Sequence, residues 1–353
     1  MNFCKYAYYH TFKSYWELFI RYLAFSIIVM TNFLQIPYSL FRPFYEKTSF
    51  HKSVIEDVND ESLKKAYSHC RAITRYHAKT FYLATRFLPN EKQRGIFAIY
   101  GMCRYLDNLV DDAEDVVLNK KISLSEIDVR LNEFKQKLDL VYDGQRVEDP
   151  ILMAYADTLK KYKVAKELPL LLISGVRQDL DKTRFQNFQE IYDYSYKVAS
   201  VVGLMTSEVF GYSCKEALQR ATDLGIAMQL TNILRDVGED LKRDRIYIPK
   251  DELDMFNITE QDLFNKELSE KFIELMKFQI KRAREYYKNA FEGIEMLTKD
   301  SRLPVYLAHR NYSRILDKIE ENGYDVFNKR AFLKQSEKLY ILPKVLLDLK
   351  TAS

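Results

Sequence analysis

Leu230-Thr231-Asn232-Ile233-Leu234-Arg235-Asp236-Val237-Gly238-Glu239-Asp240 reads as a helix with two faces. Ile226, Leu230, Ile233 and Val237 recur at the four-three-four spacing of an apolar stripe. Asn232, Asp236 and Asp240 recur every fourth residue and stack on another face, with Gln229 just under one turn before them. Helix geometry makes this ladder about 12 Å tall. One carboxamide and two carboxylates displayed in this way suit a hard cation such as Mg²⁺, which prefers oxygen ligands and shares substrate phosphates. Stacked like charges destabilise an isolated helix. On that ground, losing an acid such as Asp236 or Asp107 is expected to abolish any metal-dependent activity and to leave the fold intact or improved. Taken alone, the ladder is also the pattern of a solvated polar face.

A second stretch carries the same device. Tyr100-Gly101-Met102-Cys103-Arg104-Tyr105-Leu106-Asp107-Asn108-Leu109-Val110-Asp111-Asp112 places Tyr100, Arg104, Asp107 and Asp111 on one helical face, with Met102, Leu106, Leu109 and Val110 as apolar surface. Two acid ladders, each with an arginine nearby, read as two walls of one cavity: acids for metal, guanidinium for phosphate.

Composition narrows the alternatives. In 353 residues there are only 10 glycines and 8 prolines, and helix-period patterning dominates, so an all-α domain is expected. A net charge of +4 with interspersed signs gives no argument for nucleic acid. Cys4, Cys70, Cys103 and Cys214 are too widely spaced for a metal or redox motif, so reduced thiols and a cytoplasmic setting are expected. There is no His-Glu-x-x-His pattern and no glycine-rich phosphate loop, so any phosphate is held by metal and side chains.

The two ladders, and the continuation Leu241-Lys242-Arg243-Asp244-Arg245-Ile246-Tyr247-Ile248-Pro249, resemble the aspartate-rich motifs of the squalene/phytoene synthases, the head-to-head prenyl synthases. The resemblance runs from about Ser62 to Lys338. It implies a single large helical bundle around a central cavity, with metal on Asp107, Asp111, Asn232, Asp236 and Asp240. It identifies His77, Lys79 and Thr80 with a cluster that grips a diphosphate. Phe81, Tyr100, Arg104, Gln229, Arg235, Tyr312, Arg330 and Lys338 are further substrate-binding positions. Tyr194-Ser195-Tyr196-Lys197-Val198-Ala199-Ser200-Val201-Val202-Gly203 resembles the family's tyrosine motif, with Ser195 where cysteine and Ser200 where glycine is usual. Tyr194 takes the place of the catalytic tyrosine, either orienting the leaving diphosphate or taking part in proton loss. The small residues Ala199, Ser200 and Gly203 are read as leaving room for a long apolar tail.

Residues 1–56 form an aromatic-rich extension, residues 57–345 the synthase domain and residues 346–353 a short tail. Tyr22 to Phe41 carries no charge and only just reaches the length of a spanning helix, so it is expected to contact a membrane, as a peripheral or N-terminal anchor. Single helices are expected over Leu63–Phe87, Tyr192–Phe210 and Leu263–Met296.

The resemblance implies that two geranylgeranyl diphosphates are joined through a cyclopropyl diphosphate to phytoene, with Mg²⁺ (or Mn²⁺ in its place) and without NADPH. The form Arg235-Asp236-Val237-Gly238-Glu239-Asp240, and Gly203-Leu204-Met205 after the tyrosine motif, look like the phytoene branch. The alternatives are squalene, presqualene diphosphate or dehydrosqualene from farnesyl diphosphate and, in another class, a non-catalytic assembly factor on the same fold.

Overall fold

The computed structural model describes residues 54–118, 124–334 and 337, all within the compact unit that begins at Val54. The expectations for residues 1–53 and for the tail lie outside the described residues. Thirteen α-helices follow one another, joined among the described residues by loops and two isolated bridges rather than sheets: α1 Glu61–His77, α2 Lys79–Thr85, α3 Asn90–Leu118, α4 Leu124–Tyr142, α5 Pro150–Lys161, α6 Glu167–Gln178, α7 Phe188–Ser195, α8 Val201–Phe210, α9 Glu216–Asp240, α10 Lys250–Met255, α11 Glu260–Phe264, α12 Glu270–Glu292 and α13 Lys299–Glu321. The starts are set by short polar side chains that satisfy free amides. Asp60 accepts from Leu63 N at 2.9 Å to open α1, and Asp149 accepts from Ile151 N and Leu152 N ahead of Pro150 to open α5.

The long helices α3 and α9 carry the two acid ladders. The short apolar α8 packs against both, which fixes their separation. Around α3 gathers one apolar core, including Ile96, Phe97, Ile99, Met102 and Leu106, all at most 1% exposed. Around α9 gathers a second, including Ile226, Leu230, Ile233 and Val237, the stripe expected from spacing. Tyr196 packs against both cores. Among the described residues, no helix is long and apolar enough to cross a membrane.

Three expected helices are divided. The chain breaks at Ala78 (φ −125°, ψ 56°), so α1 and α2 are separate. Neither glycine nor proline marks the break. The cause is tertiary, since α1 packs on α3 and α5 while α2 turns to pack on α13. Between α7 and α8, Tyr196–Ser200 form a π-helical turn. A π-turn of this kind accommodates one extra residue in the helix and is frequent at functional sites. Finally, α11 ends at Phe264 and α12 starts only at Glu270, where Ser269 accepts from Phe272 N at 3.3 Å.

Candidate active site

On α9, Asn232 Nδ2 donates to Gln229 Oε1 at 3.3 Å, which leaves Asn232 Oδ1 buried with no hydrogen-bond partner. An orphaned buried carbonyl oxygen is costly unless a ligand completes it. One turn on, Asp236 is engaged by two guanidinium groups. Arg235 Nε donates to Oδ1 at 2.9 Å and its second nitrogen to Oδ2, while Arg330 Nε donates to Oδ1 at 2.8 Å. Burial pushes the Asp236 carboxyl up, but the two guanidiniums outweigh it and hold it below the usual carboxylate range. The ladder is therefore not uniformly repulsive, and the expectation that removing Asp236 relieves like-charge strain is corrected.

The strain falls on Asp240. Burial, and then the charge of Asp236, push its carboxyl up to about 7 against the pull of Arg245 and Arg243. The folded chain holds this proton more tightly than the unfolded chain, whose ordinary value is 3.8. Stability from this group therefore falls as pH rises from about 4 to 7, and the cost is complete above that window. Asp240→Asn is expected to match wild type at pH 4 and to exceed it at pH 8, in EDTA, by up to about 4 kcal/mol. Urea unfolding at the two pH values checks this, and equal stability at pH 8 would refute it.

The opposite wall is α3. Tyr100 is half-buried, with the Phe81 ring centroid 6.0 Å away, and its hydroxyl is raised by burial against the pull of Arg104. Tyr312 lies on α13, which packs against α9, and is within electrostatic reach of both Tyr100 and Arg235. Arg104 is half-buried and Asp107 is exposed at this wall. His77 stands exposed at the end of α1, its ring edge-on to Tyr76 at 4.8 Å between centroids. The side chains of Lys79, Thr80 and Asp111, and all of Lys338, lie outside the described residues.

Tyr194 belongs to a different corner. Its ring is buried, and its hydroxyl donates to Asp179 Oδ2 at 3.1 Å; Tyr247 donates to Asp179 Oδ1 at 3.2 Å. Arg245 donates to the main-chain oxygen of Asp179 and also pulls on Asp240, which links this corner to the end of the ladder. Asp179, Arg245 and Tyr247 were not singled out in the sequence. Arg245 and Tyr247 lie in the quoted continuation of the second ladder, whereas nothing near Asp179 pairs it with a tyrosine 15 residues on or another 68 residues on.

The small residues also have another use than the one expected. Ser200 is fully buried, and its Oγ donates to Thr222 O at 2.8 Å. A Cβ on Gly225 would stand 2.4 Å from Ser200 Cα, and one on Gly203 would stand 3.0 Å from Ala221 O. These two positions let α9 approach the tyrosine segment rather than enlarging the cavity.

The donor set fits a hard divalent cation, for Asn232 Oδ1 lacks a partner and two carboxylates share its face. Among the described residues, no three acids, histidines or cysteines converge into a ready-made cage.

Comparison with known proteins agrees with this geometry. The family profile described as squalene/phytoene synthase matches residues 74–337. The 15-cis-phytoene synthase of Synechococcus elongatus is 41% identical over 298 residues, covering 81% of this chain and 94% of the relative. The chloroplastic phytoene synthase of Daucus carota is 40% identical over 304 residues, covering 84% and 74%. Among solved structures, a dehydrosqualene synthase in complex with ligand superposes with a TM-score of 0.73 at 28% identity, covering 82% of this chain and 98% of that one. A squalene synthase from Alicyclobacillus acidocaldarius, at 22% identity and a TM-score of 0.69 over 77% and 98%, shares the fold. With an all-α fold and with the family's pattern matched over residues 74–337, the chain belongs to the squalene/phytoene synthase family.

Proposed function

We propose that this prenyltransferase joins two geranylgeranyl diphosphates head to head, through a cyclopropyl diphosphate, to 15-cis-phytoene, releasing diphosphate. The observation that carries this reading is the α9 ladder, where carboxylates, an unpartnered carboxamide oxygen and two arginines share one face opposite Tyr100 of α3. The product is supported by phytoene synthases that match more than four-fifths of the chain at about 40% identity.

Asp107 and Asp111 on α3, with Asn232, Asp236 and Asp240 on α9, would hold Mg²⁺, or Mn²⁺ in its place, which when bound supplies Lewis-acid neutralisation of the leaving diphosphate. The chain's own residues do the remainder. Arg235 and Arg330 sit on Asp236, so an arriving diphosphate meets guanidinium charge gathered at the middle of the ladder. Arg104 adds charge from the other wall, and by the resemblance His77, Lys79, Thr80 and Lys338 complete the grip. Departure leaves an allylic cation, which survives only away from water. The tilted pair Phe81 and Tyr100 supplies apolar wall and aromatic faces that attract a passing cation. Loss of a proton ends the sequence, so no hydride donor is required.

The test is product chromatography after incubation of full-length protein with Mg²⁺ and either geranylgeranyl or farnesyl diphosphate, with and without NADPH. Phytoene from the C20 substrate alone is expected. Squalene formed only with NADPH would overturn the product, and absence of diphosphate release from either substrate would return the chain to a non-catalytic role. Co-sedimentation with liposomes in the same preparation tests whether residues 22–41 bring the enzyme to a membrane surface.

A further inference from the structure

We propose that Arg330 is a specificity-determining residue that makes the α9 ladder accept a divalent cation together with diphosphate in preference to the cation alone; this rests on the reading of α9 as a metal site above. Its guanidinium holds Asp236 until a diphosphate takes the guanidinium over, and the carboxylate is then released to the cation.

The hydrogen bonds at Asp236 carry the argument. A carboxylate offers about four lone-pair sites. Oδ1 accepts from Arg235 Nε at 2.9 Å and from Arg330 Nε at 2.8 Å, and Oδ2 accepts from a second nitrogen of Arg235. Most of those sites therefore face an N–H group, and Oδ1 faces two. A divalent cation needs one of the same lone pairs, and a guanidinium left on that oxygen repels it. One arginine has to let go.

The two arginines are not equivalent. Arg235 is next to Asp236 on the same helix and grips both oxygens, and its side chain is 17% exposed. Arg330 reaches only Oδ1, through Nε, and its side chain is 60% exposed. Its main chain is nevertheless fixed. Gly238 N donates to Val326 O at 3.3 Å, and a Cβ on Gly238 would stand 2.6 Å from Phe327 O, so the chain leading to Arg330 lies directly on α9. Val326 and Phe327 are buried in the α9 core, with the Phe327 and Phe272 ring centroids 4.6 Å apart. Beyond Arg330, Ala331 and Leu333 are buried as well. An anchored main chain with a long exposed side chain lets the guanidinium change partners without moving the fold.

Diphosphate is the partner able to take it. It carries more negative charge than one carboxylate, and guanidinium matches phosphate oxygens with paired N–H donors. The exchange makes and breaks hydrogen bonds alone. It returns an Asp236 lone pair to the face where Asn232 Oδ1 is buried with no hydrogen-bond partner. Cation and diphosphate therefore help each other onto the ladder, and by linkage the help is equal in both directions.

The experiment uses full-length protein and three probes. Mn²⁺ alone is followed by electron paramagnetic resonance, and inorganic pyrophosphate in EDTA and preformed magnesium pyrophosphate are followed by calorimetry. Arg330→Gln is expected to bind Mn²⁺ alone at least about fivefold more tightly than wild type, because a competing cation has gone. The same variant is expected to bind pyrophosphate alone about tenfold more weakly. Arg330→Lys keeps the charge and is expected to bring Mn²⁺ affinity back to within about twofold of wild type, while pyrophosphate stays weak for want of the planar fork. The opposite signs are the signature, since neither a role in the fold nor a plain phosphate contact tightens Mn²⁺. Weaker pyrophosphate with unchanged Mn²⁺ affinity in Arg330→Gln overturns the proposal, and so does no change in either. Wild type that binds Mn²⁺ alone as tightly as it binds magnesium pyrophosphate overturns it too. Adding Asp236→Asn to Arg330→Gln separates the inference from the reading beneath it, and loss of the tightened Mn²⁺ binding is expected. Mn²⁺ binding indifferent to Asp236→Asn overturns the metal reading and this inference together. Binding that is lost with Asp236→Asn but unaltered by Arg330→Gln overturns this inference alone.

Discussion

Asp236→Ala is expected to lower diphosphate release by about 10³-fold or more, and to destabilise the fold rather than relieve it. The activity loss follows from what Asp236 does in the ladder. It is the middle oxygen donor between Asn232 and Asp240, and it holds Arg235 and Arg330 where a diphosphate would meet them. Removing a single preorganised electrostatic group typically costs about 10²–10³-fold, and on the proposed reading one substitution would remove a cation ligand and free two arginines that meet the diphosphate. The stability loss follows from the neighbours. Arg235 and Asp236 retain only 17% and 18% of their side-chain exposure. Without the carboxylate, Arg235 is a largely buried cation deprived of its main partner, a situation that costs on the order of 1–3 kcal/mol or more. Arg330 is 60% exposed, so its share of the ion pair is screened and adds little. Diphosphate release and the urea midpoint of the same preparation measure both effects. Activity within tenfold of wild type would remove Asp236 from the metal site, and a raised midpoint would restore the repulsive-ladder view.

The contrast between Asp236 and Asp240 shows what spacing conveys and what it omits. Residues four apart on one helix share a face whatever else the protein does, so both ladders and the buried stripe of Ile226, Leu230, Ile233 and Val237 were legible in the sequence. The same spacing predicts equal repulsion at both acids. The difference is made first by the fork of the neighbouring Arg235 onto Asp236 and then by Arg330, 94 residues away in the chain, and helix spacing conveys neither. The break at Ala78 and the π-turn at Tyr196–Ser200 escaped for the same reason, since each is imposed by helices packing from elsewhere. Asp179 escaped because a lone acid after a helix end looks like a cap. Only the folded chain brings two tyrosine hydroxyls to its two oxygens. The small residues of the tyrosine motif were visible, yet their partner was not. Ser200 meets Gly225, and the two belong together only once α9 is laid against the π-turn.

At that contact a single added methyl group has a large expected cost. Gly225→Ala is expected to destabilise the protein by about 2–4 kcal/mol, a large part of the 5–15 kcal/mol typical of a domain. Two terms of opposite sign compete. Gly225 lies inside α9, so alanine gains about 1 kcal/mol of helix propensity. Against this, the new Cβ would stand 2.4 Å from Ser200 Cα and 2.6 Å from Ser200 N, well inside contact distance. Both are main-chain atoms of a fully buried residue, so no rotamer change can clear them, and α9 or the π-turn has to move. The π-turn has little freedom on its far side, where a Cβ on Gly175 of α6 would lie 2.7 Å from Lys197 Cβ. It is held between two glycines on opposite helices. Steric overlap therefore wins over propensity. Ser200→Gly should not rescue the variant, because it removes the hydroxymethyl group and leaves the clashing main chain in place. Gly203→Ala is the internal control. Its nearest neighbour is Ala221 O at 3.0 Å, with the other Ala221 atoms at ordinary contact distance, and it is expected to cost less than about 1 kcal/mol once the propensity gain is included. Activity should fall with the displacement, since α9 carries the ladder and the π-turn continues directly from α7, which carries Tyr194. Urea unfolding of Gly225→Ala, Gly203→Ala and the Gly225→Ala/Ser200→Gly pair decides the matter. A Gly225→Ala protein as stable as wild type, or a full rescue by Ser200→Gly, would mean that α9 and the tyrosine segment do not approach through their main chains.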